Sequence, residues 1–391
     1  MQATEERYYK INQIVLMVLG IWPYQQSYFT QIQKAFFASV LLTFILVQLL
    51  VFVTTQCNAY LLLKILSIVF PFLFVTIKYC LFIIQADSVK QMLDRIRDDW
   101  KSLKDKVEID IIKKYAHSIW FSSIISIVVL CACSLILFTL QCLPLILDVI
   151  LPLNESRSFQ LIVITEYFIN QDKYIYIILF HEALACFVAE ITLCGTLITM
   201  MTFIWHSCAL FKIACYRMEN AIEKSALTIP IFERQYLFYQ RIIHAVFIHR
   251  KAIEFAELFT SNFTVLFAIL IVVGVSSLSI NLFQITLIDN RTEDAYIIPL
   301  LIAVHLNYMF IINYGGQKMT DYEKELFKVT YNGLWYTAPL RIQKLLLFIM
   351  LKGYKDVTLI FGGMYIVSLQ GFASLTNAAI SYFMVMHSTK K

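Results

Sequence analysis

Charge is the scarcest ingredient of this 391-residue chain: only 15% of it is Asp, Glu, Lys or Arg. A water-soluble domain of this length carries roughly a quarter charged residues to coat its surface. With 10 Gly and 7 Pro it also lacks the composition of collagen or of a disordered, low-complexity chain. No Cys-x-x-Cys pair occurs among its nine cysteines, most of which fall inside apolar runs, so a disulfide or zinc framework is disfavoured. What fills the chain is 59% hydrophobic residues, including 31 Phe and 22 Tyr, with a mean hydropathy of +0.70. This is the composition of a polytopic membrane protein. The formal net charge of +5 comes from Lys and Arg lying between apolar runs, not on a solvated basic face, which excludes a nucleic-acid binder.

A hydrocarbon core of about 30 Å needs roughly 20 helical residues to cross. Seven apolar stretches satisfy this, at 35–55, 61–85, 118–142, 174–207, 259–288, 295–317 and 357–386. Residues 11–22 are apolar but too short to span; they precede Pro23 and follow Glu5 and Glu6, which suits a short interfacial or re-entrant helix better than a signal peptide. Lys and Arg divide 25 to 5 between alternate sides of the seven spans, leaving Lys64 and Lys78 inside the second. By the positive-inside rule the N-terminus is cytoplasmic and the C-terminus extracellular. The sequons at Asn154 and Asn290 both fall on the outer side, where they can be glycosylated, whereas that at Asn262 starts the fifth span and is inaccessible. The expected fold is therefore all-α, with seven membrane helices.

The cytoplasmic connections read as folded. Val89, Leu93, Ile96, Trp100 and Leu103 recur at helical spacing, with Asp87 or Ser88 as N-cap, and Met218, Ile222, Tyr236, Ile243, Phe247 and Ile253 mark further helical faces. The simplest arrangement has spans two to six continuing into the cytoplasm and packing there. No internal repeat is visible, unlike transporters built from duplicated halves.

Enzymatic motifs are missing. His181-Glu182 starts like a zinc-protease motif, but Ala185 stands where the second His must be. There is no nucleophile elbow and no phosphate loop, and no metal or cofactor is expected. Gly315-Gly316 and Gly362-Gly363 read as small pairs that let helices approach. Ionisable residues inside spans need a purpose, since each costs at least about 2.5–3.5 kcal/mol on insertion scales. Lys64 and Lys78 lie near the ends of the second span and can snorkel to headgroups. His181, Glu182 and Glu190 either border a cavity or bond to neighbouring helices. His305 and Tyr308 share a face of the sixth span, and the aromatics around Pro71 suit an apolar site for small hydrophobic ligands. In the last span Gln370, Ser374, Asn377 and Ser381 form a polar stripe, which in a membrane either meets other helices or lines a pore.

The tail carries a more specific signal. Tyr331-Asn332-Gly333-Leu334-Trp335-Tyr336, Pro339, Lys344, Leu345 to Leu347 and Met350, followed by Gly362, Ser368, Phe372 and Ser381-Tyr382-Phe383, resembles the C-terminal signature of insect odorant receptors. Leu19-Gly20-Ile21-Trp22-Pro23 resembles that family's Leu-Gly-Leu-Trp-Pro, and length and topology extend the likeness to the whole chain. The resemblance implies a ligand-gated, non-selective cation channel of four subunits in the plasma membrane of sensory dendrites, needing no G protein. It implies an odorant-tuning subunit that assembles with a co-receptor, because only about 50 residues separate spans four and five, where the co-receptor has a large insertion.

By the same resemblance, 1–34 form a cytoplasmic segment, 35–317 a six-span ligand-binding bundle, 318–356 an inter-subunit anchor and 357–391 the pore-lining span. The family's odorant site lies among spans two, three, four and six. No motif transfers its residues, so the candidates are helical-face choices: Phe70, Phe74, Ser134, Phe138, Tyr176, Phe180, Ile297, Leu300, Val304 and Tyr308. Tyr331, Trp335, Tyr336 and Leu345 are implied as anchor residues. Ser381 to Val385 resembles Thr-Tyr-Phe-Met-Val, whose Val forms the hydrophobic gate; Ser388 and Thr389 follow at the mouth, where with His387 they depart from the co-receptor's Val-Gln-Leu. Lys355-Asp356 likewise departs from the usual Lys-Pro. A gustatory-type channel, or a non-conducting binding protein or transporter, are the alternatives; the gustatory tail motif is absent.

Overall fold

The computed structural model describes residues 2–56, 58–151, 163–222, 230–287, 294–352, 358–363 and 365–389. It is built almost wholly of helices: α1 (Gln2–Val18), α2 (Tyr28–Leu49), α3 (Val51–Thr54), α4 (Ala59–Ile84), α5 (Ala86–Ser102), α6 (Lys106–Ile150), α7 (Gln171–Glu219), α8 (Ile231–Ile285), α9 (Asp294–Asn332), α10 (Leu340–Lys352) and α11 (Leu369–Thr389). Local chemistry sets several of the starts. Ser27 and Thr30 close a capping box before α2, and the side chains of Asn58 and Asn170 accept backbone N–H bonds at the starts of α4 and α7.

Six of these helices are long and apolar enough to cross a membrane among the described residues, beginning with the one that opens at Tyr28. They match the first six predicted spans, and the chain is a multi-pass membrane protein. The seventh stretch differs from its expected helix. It begins with a two-residue hairpin, β1 (Ile360–Phe361) against β2 (Tyr365–Ile366), and only then becomes α11. Gly362 and Gly363 turn this hairpin with φ of +62° and +71°, a backbone region open to glycine and closed to most side chains. Their role is therefore a turn and not helix approach. Gly315 does act as expected, seating α9 against Met201 and Ile204 of α7.

The N-terminal apolar run is part of a longer helix than expected. α1 packs on α6 and α7, and its exit is pinned by a 2.9 Å hydrogen bond from the Tyr79 hydroxyl to the Leu19 carbonyl. As predicted, α7, α8 and α9 run far past a bilayer's thickness and pack together beyond it. Along the contact of α7 and α8 the buried aromatics are Phe203, Phe211, Phe238, Phe255, Phe259 and Phe263. α5 buries the Val89, Leu93, Ile96 and Trp100 face read from the sequence, although neither Asp87 nor Ser88 caps it; the chain passes from α4 into α5 through Gln85. On α8 the buried face is Phe238, Ile242, Ala245 and Ile248, and Tyr236 and Phe247 are exposed instead.

Polar contacts lock this distal bundle. Arg217 of α7 grips both oxygens of Glu108 on α6 at 2.6 and 2.9 Å and donates to the His244 carbonyl of α8. Asp99 of α5 lies 2.8 Å from His206 of α7 and pairs with Lys251 of α8. Burial alone would push the Asp99 carboxyl up, but the hydrogen bonds and charges of His206 and Lys251 outweigh it and hold it below the ordinary carboxylate range.

Candidate functional site

In the membrane half of the bundle a cavity of about 180 Å³ lies between α4, α6, α7, α8 and α9. For scale, an engineered cavity of about 150 Å³ lined by Leu, Ile and Phe takes up benzene. Pro71 shapes one wall. A proline offers no N–H to the carbonyl one turn back, so the Ser67 oxygen would be left without a helical partner. The Asn281 amide of α8 fills that vacancy, donating to the Ser67 carbonyl at 3.2 Å and to its own Ser277 carbonyl at 2.9 Å. The interruption that shapes the wall is thus also what ties α4 to α8.

Of the ten ligand candidates, Phe74, Leu300, Val304 and Tyr308 line the cavity together. Ser134 stands just behind its wall, donating to the carboxyl of Glu190, which does line it. Phe70 does not reach it, and Ile297 borders a separate recess near Lys64. Phe138, Tyr176 and Phe180 face outward, the last two at 73% and 70% exposure. That these three face away from the cavity has one cause. In a membrane helix the lipid-facing and inward positions are equally apolar, so hydrophobicity does not choose between them. Reading the sequence also missed the contribution of α8, namely Ser277, Leu278 and Asn281. A signal for it existed: polar residues inside a span usually face the bundle interior.

The intramembrane ionisable groups separate into two kinds. His181 is held at both ring nitrogens, by the Tyr167 hydroxyl at 2.7 Å and the Thr43 hydroxyl at 3.1 Å, and Glu182 accepts from Gln141 at 2.8 Å. The Thr43 and Gln141 bonds join α7 to α2 and α6, and the Tyr167 bond ties it to the segment that leads into α7. Glu190 instead borders the cavity. Lys78 does not snorkel: it is 1% exposed, with its Nζ 4.0 Å from the centre of the Tyr308 ring. Tyr308 also meets Phe74 edge to face, with ring centres 5.8 Å apart. A smaller cavity of about 50 Å³ shares Phe74, His305 and Tyr308 and continues toward Tyr365 and Leu375. The described residues include no cluster of side chains suited to a metal.

α11 packs on α8 through Leu375, Ala378 and Ala379, and Ser279 donates to the Ala379 carbonyl at 3.1 Å. Its polar stripe therefore points away from the rest of the chain: Gln370, Ser374, Asn377 and Ser381 are all exposed, as are Val385, Ser388 and Thr389. Of the anchor candidates, Tyr331 and Tyr336 are exposed, whereas Trp335 and Leu345 pack partly against the protein's own core. The sequons at Asn154 and Asn290 lie outside the described residues.

Shrinking Phe74 tests the wall directly. Phe74→Ala is expected to enlarge the cavity and destabilise the protein by about 3–5 kcal/mol, less any relaxation; thermal unfolding in detergent measures the loss.

Comparisons with known proteins agree with this architecture. The 7tm Odorant receptor family model matches residues 58–380. Odorant receptor 10 of Aedes albopictus is 26% identical over 105 residues, which cover 27% of this chain and 28% of that receptor's length. The structure of the insect olfactory receptor OR5 from Machilis hrabei in complex with eugenol superposes with a TM-score of 0.75 at 14% identity, covering 99% of each chain. The structure of that receptor alone gives 0.71 over 97% of each. At this identity the superposition speaks for the fold, and the family match speaks for descent: the chain belongs to the 7tm Odorant receptor family, whose members are multi-pass membrane receptors and not enzymes.

Proposed function

We propose that this chain is the odorant-tuning subunit of a ligand-gated, non-selective cation channel, opened by small hydrophobic volatiles that bind in the cavity between α4 and α9. The observation that carries this reading is the largely apolar cavity with Glu190, Asn281 and His305 as sparse polar points on its wall. The olfactory receptor of the same fold is described in complex with eugenol, and a compact aromatic molecule of that kind suits a site bounded by Phe72, Phe74 and Tyr308.

The exposed polar face of α11 supplies the second half of the proposal. A stripe that continues from Ser374 through Asn377 and Ser381 to Val385 needs either water or neighbouring subunits in front of it. Four such helices around an axis give a wet path closed by a ring of Val385. The partner subunits, chiefly a co-receptor, would dock through the exposed Tyr331 and Tyr336 and the outer face of α10, where Leu347 and Phe348 are exposed. In this reading 318–356 is the anchor, 357–391 the pore segment, and the N-terminus is cytoplasmic in a sensory-neuron dendrite membrane.

Ligand must bind the open arrangement more tightly than the closed one, since equal affinity shifts nothing. The route from cavity to pore is short: the second cavity joins Tyr308 to Leu375 of α11. Whole-cell recording from cells expressing this chain with a co-receptor tests the proposal: some volatiles should evoke inward cation current that the co-receptor alone does not give. Val385→Ala is expected to raise resting current or alter ion selectivity. Unchanged closure and selectivity would place the gate elsewhere. Ligand binding without any current would favour the non-conducting alternative.

A further inference from the structure

The polar groups on the cavity wall say more about the ligand than its size does. The Asn281 amide is fixed in one orientation, because its Nδ2 donates to two backbone carbonyls that can only accept, Ser67 at 3.2 Å and Ser277 at 2.9 Å. Its Oδ1 is therefore the atom left over. Asn281 is 3% exposed, and Oδ1 accepts no hydrogen bond among the described residues. One turn away, the Ser277 hydroxyl is also buried and has no hydrogen-bond partner among the described residues. Both residues line the same cavity. A buried acceptor left unsatisfied costs about 1–3 kcal/mol, so a ligand that brings a donor recovers what a pure hydrocarbon cannot.

We propose that the cavity selects hydrophobic alcohols and phenols, whose hydroxyl donates to Asn281 Oδ1 and is flanked by Ser277, while the apolar body lies against Phe74, Tyr308 and Leu300. The inference rests on the reading of this cavity as the ligand site. The discrimination follows from geometry. An ether or alkane of the same outline fills the apolar space equally well and leaves Asn281 Oδ1 unsatisfied. A site built to pair with a donor discriminates through the group it strands when that donor is missing.

The test compares matched probes on the purified full chain in lipid nanodiscs: benzyl alcohol, hexanol and octanol, each beside its methyl ether. The concentration giving half-maximal thermal stabilisation is read for each. The alcohols are expected to bind roughly ten-fold more tightly than their ethers, the worth of one recovered hydrogen bond.

Asn281→Leu removes the acceptor but also strands the Ser67 carbonyl. The informative variant is therefore Pro71→Ala with Asn281→Leu, in which the new residue-71 N–H serves Ser67. In this double variant alcohol and ether should bind alike, whereas Pro71→Ala alone keeps the preference and Ser277→Ala weakens it. Equal binding of alcohol and ether to the wild type, an undiminished preference in the double variant, or no binding of any alcohol overturns the proposal. Alcohol-selective binding to a chain that passes no current would count against the channel and leave this site standing.

Discussion

Replacing Asp99 by Ala is expected to lower the stability of the protein by about 3–5 kcal/mol, the usual loss when one partner of a buried ionic cluster is removed. Asp99 joins three helices at one point: it belongs to α5 and meets His206 of α7 at 2.8 Å and Lys251 of α8. Its side chain is 3% exposed and that of His206 is wholly buried, so water cannot replace the lost carboxylate. Asp99→Asn preserves the shape and a hydrogen bond and should lose less. Thermal unfolding of the purified protein, read beside its surface expression, measures both. A neutral Asp99→Ala would mean that α5 is held by Val89, Ile96 and Trp100 alone.

The same carboxyl sets an acid limit. Its folded-state pKa is depressed, so its contribution is complete above the unfolded value of about 3.9 and is lost as pH falls through the lower folded value. The difference between wild type and Asp99→Ala should therefore be flat across neutral pH and should shrink only in strong acid.

The second large effect is expected at Gly316, where α9 meets the segment leading into α11. A Cβ there would lie 2.6 Å from Val367 Cγ1 and nearer still to the Val367 carbonyl oxygen. Val367 cannot readily retreat. Its N–H is bonded to the Leu359 carbonyl at 2.9 Å, and its neighbours are fixed to Asn313, whose Oδ1 accepts from the Tyr365 hydroxyl at 2.5 Å and from the Ser368 N–H at 3.1 Å. Gly316→Ala should cost about 1–3 kcal/mol of overpacking and shift the start of α11. The cavity residues of α9 lie about two turns (Tyr308) to more than four turns (Leu300) away. Ligand binding should consequently survive while ligand-evoked current falls sharply. Loss of binding and current together would indicate general unfolding, and full current would show that the seating of α11 does not matter to opening.

Much of this fold was legible because its physics is coarse. Runs of apolar residues long enough to cross a bilayer become helices, since no backbone polar group can be left unbonded there. The amphipathic face of α5 was legible as well, because charged residues alternate with Val89, Leu93, Ile96 and Trp100 at helical spacing. Where both environments are apolar, the signal disappears. Phe180 facing outward and Phe74 in the cavity wall look alike in sequence, and Tyr236 resembles the buried Phe238 two positions away. The hairpin at 360–366 was hidden because Gly362-Gly363 sits in a stretch apolar enough to continue the last helix. The cavity was best announced by residues that break the apolar pattern, Pro71, Glu190, Ser277 and Asn281. Their meaning depends on partners drawn from four different helices, which no local pattern records.

The most direct test is a recording from excised, inside-out membrane patches that contain this chain and a co-receptor, bathed in solution free of nucleotides and soluble proteins. Applied alcohol ligands should still open cation-permeable channels, and filling the cavity with Ala189→Trp should abolish that response while leaving the protein at the surface. Current that disappears on excision, or that persists unchanged with the cavity filled, would contradict the account.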